Sequence, residues 1–223
     1  MNLASNIYQT ASRSSSTPSV TFAACLILCL SVNGFRPLQV SARIQDSPAT
    51  EQTDWPRFTP SDAGASFQMP SKPRYVERVF TPVKGRPPIK VCLHQTVVDQ
   101  GNTAFLFAYN DLHETPQDRA TIDKILDGAV KGSVINVGGQ LLSEPNKFNY
   151  KTHFGRQFSC RYVQGEKRFI VTARLFLVGK RQYQFTFMMR ESMYDERLAA
   201  KYLNSFQLVE PENDDPPVPR AKF

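Results

Sequence analysis

The chain has 223 residues, 41% of them hydrophobic and 11% aromatic, enough for one sizeable core and too few for several domains. It holds 27 lysines and arginines against 20 acids, a net charge of +7 spread along its length. That excludes the dense basic stripe of a nucleic-acid-binding protein.

The two ends do not share the composition of the middle. The first 19 residues contain no acid and one arginine, and an apolar run, "VTFAACLILCLSV", follows at 20–32. It is shorter than the about 20 residues that span a bilayer. Val40 and Ala42 stand at the small-residue positions of a signal-peptidase site, so cleavage is expected after Ala42 and the mature chain starts at Arg43. The protein is then exported, to a periplasm, cell envelope or medium; a membrane anchor formed by an uncleaved leader and a two-part organelle address are the alternatives. Without Arg13 and Arg36 the chain keeps 25 basic against 20 acidic side chains. Such an excess reads first as solvated surface charge; if it serves a partner outside the cytosol, anionic lipid, glycan or an acidic protein is expected ahead of nucleic acid. Residues 43–57 read as a polar linker, 58–209 as the domain, and 210–223, "EPENDDPPVPRAKF", as a disordered tail rich in proline and acid.

Strand signals open the domain. "ASFQMP" (65–70), "YVERVFT" (75–81), "IKVCLHQTVV" (89–98) and "TAFLFAY" (103–109) are short, β-branched or aromatic, and bounded by Gly and Pro. The last two form a hairpin about "DQGN" (99–102). The period then changes. Thr115 caps a helix, Pro116 suits its first position and Asp118 stands three after the cap. Ile122, Ile125, Leu126, Ala129 and Val130 form its apolar stripe, and it ends near Gly132. Strands resume in "NYKTHFGRQFSCRYV" (149–163), and two more follow. Ser192 caps a closing helix, with Asp195 three later and Leu198, Ala199, Tyr202, Leu203 and Phe206 on one face. The order and the hairpin-length connections predict an α+β fold, a central and mainly antiparallel β-sheet with helices packed on it.

Register follows from matching apolar faces. A four-residue loop "QGEK" (164–167) sets Tyr162 opposite Phe169 and Cys160 opposite Val171. A three-residue loop at Gly179, Lys180 and Arg181 sets Leu177 opposite Tyr183 and Leu175 opposite Phe185. One face is then apolar, and the other collects Gln157, Ser159, Arg161, Thr172, Arg174, Gln184 and Thr186. Arg174, between Gln157 and Gln184, either pairs with a carboxylate such as one from the terminal helix or presents its planar fork of donors to a ligand or partner. The basic turns at Lys167-Arg168 and Lys180-Arg181 are further contact candidates. Cys160 falls on the apolar side and Cys92 on the side of Lys90 and His94, so free thiols are expected.

Catalytic patterns do not emerge. Cys92 and His94, two apart on one strand face, sit about 7 Å from each other, beyond direct hydrogen bonding. His113 and His153 complete no metal-ligand spacing. "NVGGQ" (136–140) follows a helix instead of opening one and reads as a turn. No cofactor, metal or catalytic residue is expected.

In its order of motifs the domain resembles the Mog1/PsbP-type α/β sandwich, in particular small exported bacterial relatives. The resemblance rests on "FTPSDAGASFQMPSKP" (58–73), "GRQF" (155–158), "TARLFLVGKRQYQF" (172–185) and "YLNSFQLV" (202–209). It implies an antiparallel sheet with helices on both sides and an accessory or binding role without a known active site. Members bind partners as different as a small GTPase and photosystem subunits, so fold does not carry function. The expectation is an exported, non-enzymatic binding or accessory domain that contacts an unknown protein or envelope component through Arg174, Gln157, Gln184, Arg161, Arg168, Lys180 and Arg181. The alternatives are a carrier or enzyme with a pocket between sheet and helix, and a membrane-anchored structural protein of the envelope.

Overall fold

The computed structural model describes residues 54–80 and 87–209. The leader with its cleavage site, most of the linker and the tail lie outside these described residues. Thirteen elements follow in chain order: β1 (Arg57–Phe58), β2 (Ala65–Gln68), β3 (Arg74–Phe80), β4 (Ile89–Val98), β5 (Thr103–Asp111), α1 (Arg119–Asn136), β6 (Gln140–Leu141), β7 (Asn146–Tyr150), β8 (His153–Gln164), β9 (Lys167–Val178), β10 (Arg181–Arg190), α2 (Glu196–Leu203) and β11 (Gln207–Leu208). An eight-stranded antiparallel sheet runs β3-β4-β5-β10-β9-β8-β6, with β7 also paired to β8. A small sheet, β1-β2-β11, lies apart from it. This is the expected α+β class. The fold begins before Phe58, inside the expected linker, because the Trp55 ring packs edge-on to Phe105 at 5.1 Å.

The helices start later than expected. Pro116 disfavours a helical conformation at Thr115, and Asp118 caps α1 instead, accepting from Thr121 N at 2.8 Å. Helix α1 runs past Gly132 to Asn136, and Gly138, at φ +61°, turns the chain away. Asp195, not Ser192, caps α2 by accepting from Arg197 N and Leu198 N. No helix among the described residues is long and apolar enough to cross a membrane.

The β9–β10 turn departs most from expectation. Arg181 pairs with Val178, so the loop is Gly179 and Lys180 alone. Gly179 has φ +57°, which a glycine in the first position of a two-residue hairpin turn adopts without strain. The shift of one residue inverts every partner: Tyr183 faces Phe176, Phe185 faces Arg174 and Gln184 faces Leu175. The β8–β9 register is the expected one, with Tyr162 opposite Phe169, although its turn tightens to Gly165 and Glu166.

The sheet therefore has two apolar faces. One carries Val91, Leu93, Ala108, Val171, Ala173 and Leu175 beneath α1. The other carries Phe67, Phe105, Phe107, Phe176, Phe185 and Phe187 beneath α2 and the small sheet. Cys160 belongs to the first core and Cys92 to the second, and both are free thiols.

Under α1 lies a charge that the sequence reading missed. Arg156 on β8 is 1% exposed. Its Nε donates to Asp127 at 2.6 Å and its Nη2 to Asp123 at 2.8 Å, so two acids one helical turn apart hold one guanidinium. Arg119 and Arg156 together hold the Asp123 carboxyl down at about 2. Gly155 beside it is required sterically, since a Cβ there would meet Phe148 Cε1 at 2.6 Å and the Leu175 carbonyl at 2.7 Å.

Removing the acids strands a buried cation, whereas removing the arginine frees acids that reach water. The double variant Asp123→Asn with Asp127→Asn should therefore lose about 3–5 kcal/mol in urea unfolding, and Arg156→Met clearly less. Equal losses would mean that packing, not charge, sets the value of this contact.

Candidate functional site

The candidate residues separate into three places. Arg174 stands mid-strand on β9, on the aromatic face, half-buried. Its Nε donates to Gln157 Oε1 at 2.6 Å, and its Nη1 donates to Asn204 Oδ1 at 2.6 Å and to the Leu203 carbonyl at 3.2 Å. The last two acceptors are the C-terminal end of α2, where partial negative charge collects. Its hydrogen bonds among the described residues thus go to neutral oxygens, not to the expected carboxylate, and burial lowers its pKa. The guanidinium also lies 5.6 Å from the Phe148 ring centre. Gln157 is its cross-strand partner, as expected. Gln184 is not: the register places it on the opposite face, buried, donating to Thr186 Oγ1 at 2.9 Å.

The two basic turns occupy opposite ends of β9, roughly 30–35 Å apart by strand rise. At one end Arg168 is exposed, and Arg161 reaches Glu191 at 2.7 Å. At the other, Arg181 forks onto Asp111, its direct cross-strand partner, at 2.7 and 2.9 Å. Asp111 raises the Arg181 pKa, and Arg181 lowers that of Asp111. The Arg181 Nη1 donates to the Asp62 carbonyl at 2.6 Å and Tyr183 Oη to the Ala63 carbonyl at 2.7 Å, so β10 holds the loop before β2 in place. Leu112 N donates to the Lys180 carbonyl at 2.8 Å and anchors the turn itself.

Between these pieces opens a cleft of about 410 Å³ where strands β4, β5 and β10 end. Lys90, Lys180 and Arg181 line it with Asp62 and Asp111, and Cys92, Tyr109 and Asn110 form its floor. Tyr109 and Asn110 are 3% and 6% exposed, yet Tyr109 Oη and Asn110 Oδ1 find no hydrogen-bond partner among the described residues. Burial, then the nearby Asp62 and Cys92 side chains, keeps the Tyr109 proton on. Arg181 is neutralised by Asp111 and Lys90 is 2.7 Å from Glu77. Lys180, at the exposed tip of the turn, has no ion-pair partner among the described residues. Sequence reading found Lys180 and Arg181 and missed Lys90, Tyr109 and Asn110, which face matching alone had treated as ordinary strand positions.

A second depression, about 680 Å³, is lined by the β5–α1 connection, the first turns of α1 and Pro87, not by a face of the sheet. Its buried walls are Leu112 and Ile125, and the polar residues about them, such as Glu114, Thr115, Gln117 and Lys124, are exposed. Among the described residues no three metal-ligating side chains come together. His94 and Cys92 form no dyad, because His94 lies stacked among Tyr75, Phe107 and Tyr109 with its Nε2 unpartnered among the described residues.

No family model matches the chain, and no curated protein matches it. Solved structures similar to it include LpqN of Mycobacterium tuberculosis, involved in cell envelope biogenesis, at 13% identity over 64% of this chain and 82% of that one, TM-score 0.38. A Bacteroides thetaiotaomicron protein is similar at 11% identity over 70% and 48%, TM-score 0.39. CyanoP, the cyanobacterial PsbP of Synechocystis, is similar at 13% over 74% and 98%, TM-score 0.45. PsbP, whose family the sequence motifs resemble, is thus among the structural neighbours. At these identities and TM-scores no activity or partner passes from them to this chain.

Arg174→Ala should lose about 1–2 kcal/mol in urea unfolding, the range of charged hydrogen bonds to neutral partners that water partly replaces. A loss beyond about 3 kcal/mol would reveal an unpaired acid left behind, and one within about 0.5 kcal/mol would deny the arginine its part in seating α2.

Burial lowers the His94 pKa, against a weaker upward pull from Asp62. The unfolded chain then accepts a proton at a higher pH than the folded one, so this contribution is complete above about pH 6.5 and shrinks as pH falls below it. The urea midpoint should drop between about pH 7.5 and 5.5, and by less in His94→Phe. His153, also lowered by burial and by Lys151, accounts for part of the remainder. An unchanged slope in the variant would remove His94 from the account.

Proposed function

We propose that this chain is an exported, non-enzymatic accessory domain that binds a protein or cell-envelope component through the cleft beside the β9–β10 turn. The observation that carries the reading is an exposed ammonium, Lys180, without an ion-pair partner among the described residues, on the lining of a cleft that the buried polar residues Tyr109 and Asn110 also line. A partner that brings an acidic segment would neutralise this charge by a charge-assisted hydrogen bond. Arg174 falls outside this surface, since its donors are already engaged within the fold. Arg161 and Arg168 stand at the far end of the sheet and form a separate exposed patch. Export rests on the leader pattern and the small residues before Arg43.

Cosedimentation of the mature chain with envelope material from its own source tests the reading. Lys180→Glu, a surface change that leaves the fold intact, should weaken retention about tenfold, while Arg168→Glu should leave it near the wild-type level. Equal retention of all three proteins would sink the cleft as the contact surface.

A further inference from the structure

We infer that the partner of the cleft beside the β9–β10 turn is an extended peptide segment that carries an acid and a base on either side of an apolar residue. The inference rests on the function proposed above and narrows it, from a protein or envelope component to a protein segment of one local chemistry. Three observations converge. The first is continuity. The 410 Å³ cleft and the 680 Å³ depression share Leu112 and His113 in their linings, and the neighbouring Pro88 and Pro87 line one each. Together they make one groove that bends round the end of β5, from Lys180 to the first turns of α1.

The second is polarity. At the cleft end Lys90, Lys180 and Arg181 stand against Asp62 and Asp111, an excess of one positive charge. At the helix end Glu114 and Asp118 stand against Lys124, an excess of one negative charge. Lys180 and Glu114 are both exposed, and neither has an ion-pair partner among the described residues. Leu112, buried and common to both depressions, gives the junction an apolar wall, and Ile125 continues it toward the helix. The third is order. Leu112 N donates to the Lys180 carbonyl at 2.8 Å, Gln117 Nε2 to the Thr115 carbonyl at 2.9 Å, and Thr121 N to Asp118 at 2.8 Å. Turn, connection and helix start are each tied by their own bonds, so a partner meets walls that are already in place.

These features select among partners. An anionic lipid headgroup or an acidic glycan matches Lys180 but meets Glu114 and Asp118 as like charges, and an acyl chain finds only Leu112 and Ile125 as buried apolar walls. A peptide suits both ends and the middle at once, because its side chains change from one position to the next. Glu114 stands two residues beyond Leu112, whose backbone is bonded to Lys180, so with side chains extended the two charged heads lie about 10–16 Å apart. An extended segment advances about 3.3 Å per residue, which places its acid and its base about three to five positions from each other.

Selection from a random heptapeptide display library on the full mature chain tests this. Enriched sequences should carry Asp or Glu and Lys or Arg about three to five positions apart, with Leu, Ile, Val, Met or Phe between them. A synthetic peptide of that sequence should bind Lys180→Glu and Glu114→Lys about tenfold more weakly than wild type in fluorescence anisotropy, and reversing the sign of its matching charge should restore most of the loss in each. No enrichment, or the same sequences from all three proteins, would overturn the inference. Enrichment of acidic peptides without a base would reduce the groove to an anion site and overturn it equally. So would retention of the chain on phosphatidylglycerol vesicles that the peptide does not displace, which would make the occupant a lipid surface. The expected enrichment in a protein whose envelope retention ignores Lys180→Glu would overturn the function assigned to the cleft and leave the peptide chemistry of the groove standing.

Discussion

The register between β9 and β10 is the constraint on which the remaining architecture rests. A two-residue turn opened by Gly179 allows only one alignment of these strands, and that alignment sends Tyr183, Phe185 and Phe187 to one side and Gln182, Gln184, Thr186 and Met188 to the other. Because β10 sits beside β5 at the middle of the sheet, the choice propagates: Tyr109, Phe107 and Phe105 pair with the three aromatic residues and complete their face. Helix α1 covers one side, and α2 with the small sheet covers the other. A slip of one residue would bury the glutamine row against the rings and expose the aromatic row, which no local adjustment repairs.

Two arginines lie inside this frame, and the fold treats them differently. Arg156 is fully enclosed and needs full charge compensation, which Asp123 and Asp127 provide from one face of α1. The same contact fixes the azimuth of the helix, because only that face can meet the guanidinium while Leu126 and Val130 enter the core. Arg174 is only half-buried and settles for neutral oxygens at the end of α2. Water reaches part of the guanidinium, so incomplete compensation is tolerable there and would not be at Arg156. Each buried arginine thereby ties one helix to one face of the sheet.

Much of this fold was legible in the sequence. Strands β2 to β5 announced themselves through short β-branched and aromatic runs, and both helical stripes were found nearly residue for residue: Ile125, Leu126, Ala129 and Val130 in one, Ala199, Tyr202 and Leu203 in the other, are buried. What misled was the assumption of one apolar face. Leu175 and Phe185 are both apolar, and face matching brings them together; a sheet covered on both sides makes such matching uninformative, and only the turn chemistry of Gly179-Lys180 discriminates. Arg156 was within reach by the same parity that placed Cys160, since it shares a face of β8 with Phe154 and Phe158, and Asp123 and Asp127 stand one turn apart beside the α1 stripe. Tyr109 and Asn110 offered no such sign. Their significance arises from where three strands end together, which is a property of the assembled sheet.

That ending also explains why a site should form there and not along the faces. Within the central strands the backbone is paired on both sides and both faces are covered, so little is left there to offer a ligand. Past Asp111 the ladder between β5 and β10 stops, β4 begins at Ile89, and the chain must turn at Lys180. Tyr109 and Asn110 point to opposite faces but both lie within two residues of this margin, so a single cleft at the strand ends is lined by both. Arg181 joins the two layers at the same point, through Asp111 on the sheet and the Asp62 carbonyl on the loop before β2. The bond that closes the small sheet against the large one therefore also builds the cleft wall, and a change in Arg181 acts on fold and cleft together, whereas Lys180, one residue away, is held in the turn through its backbone carbonyl and leaves its ammonium exposed.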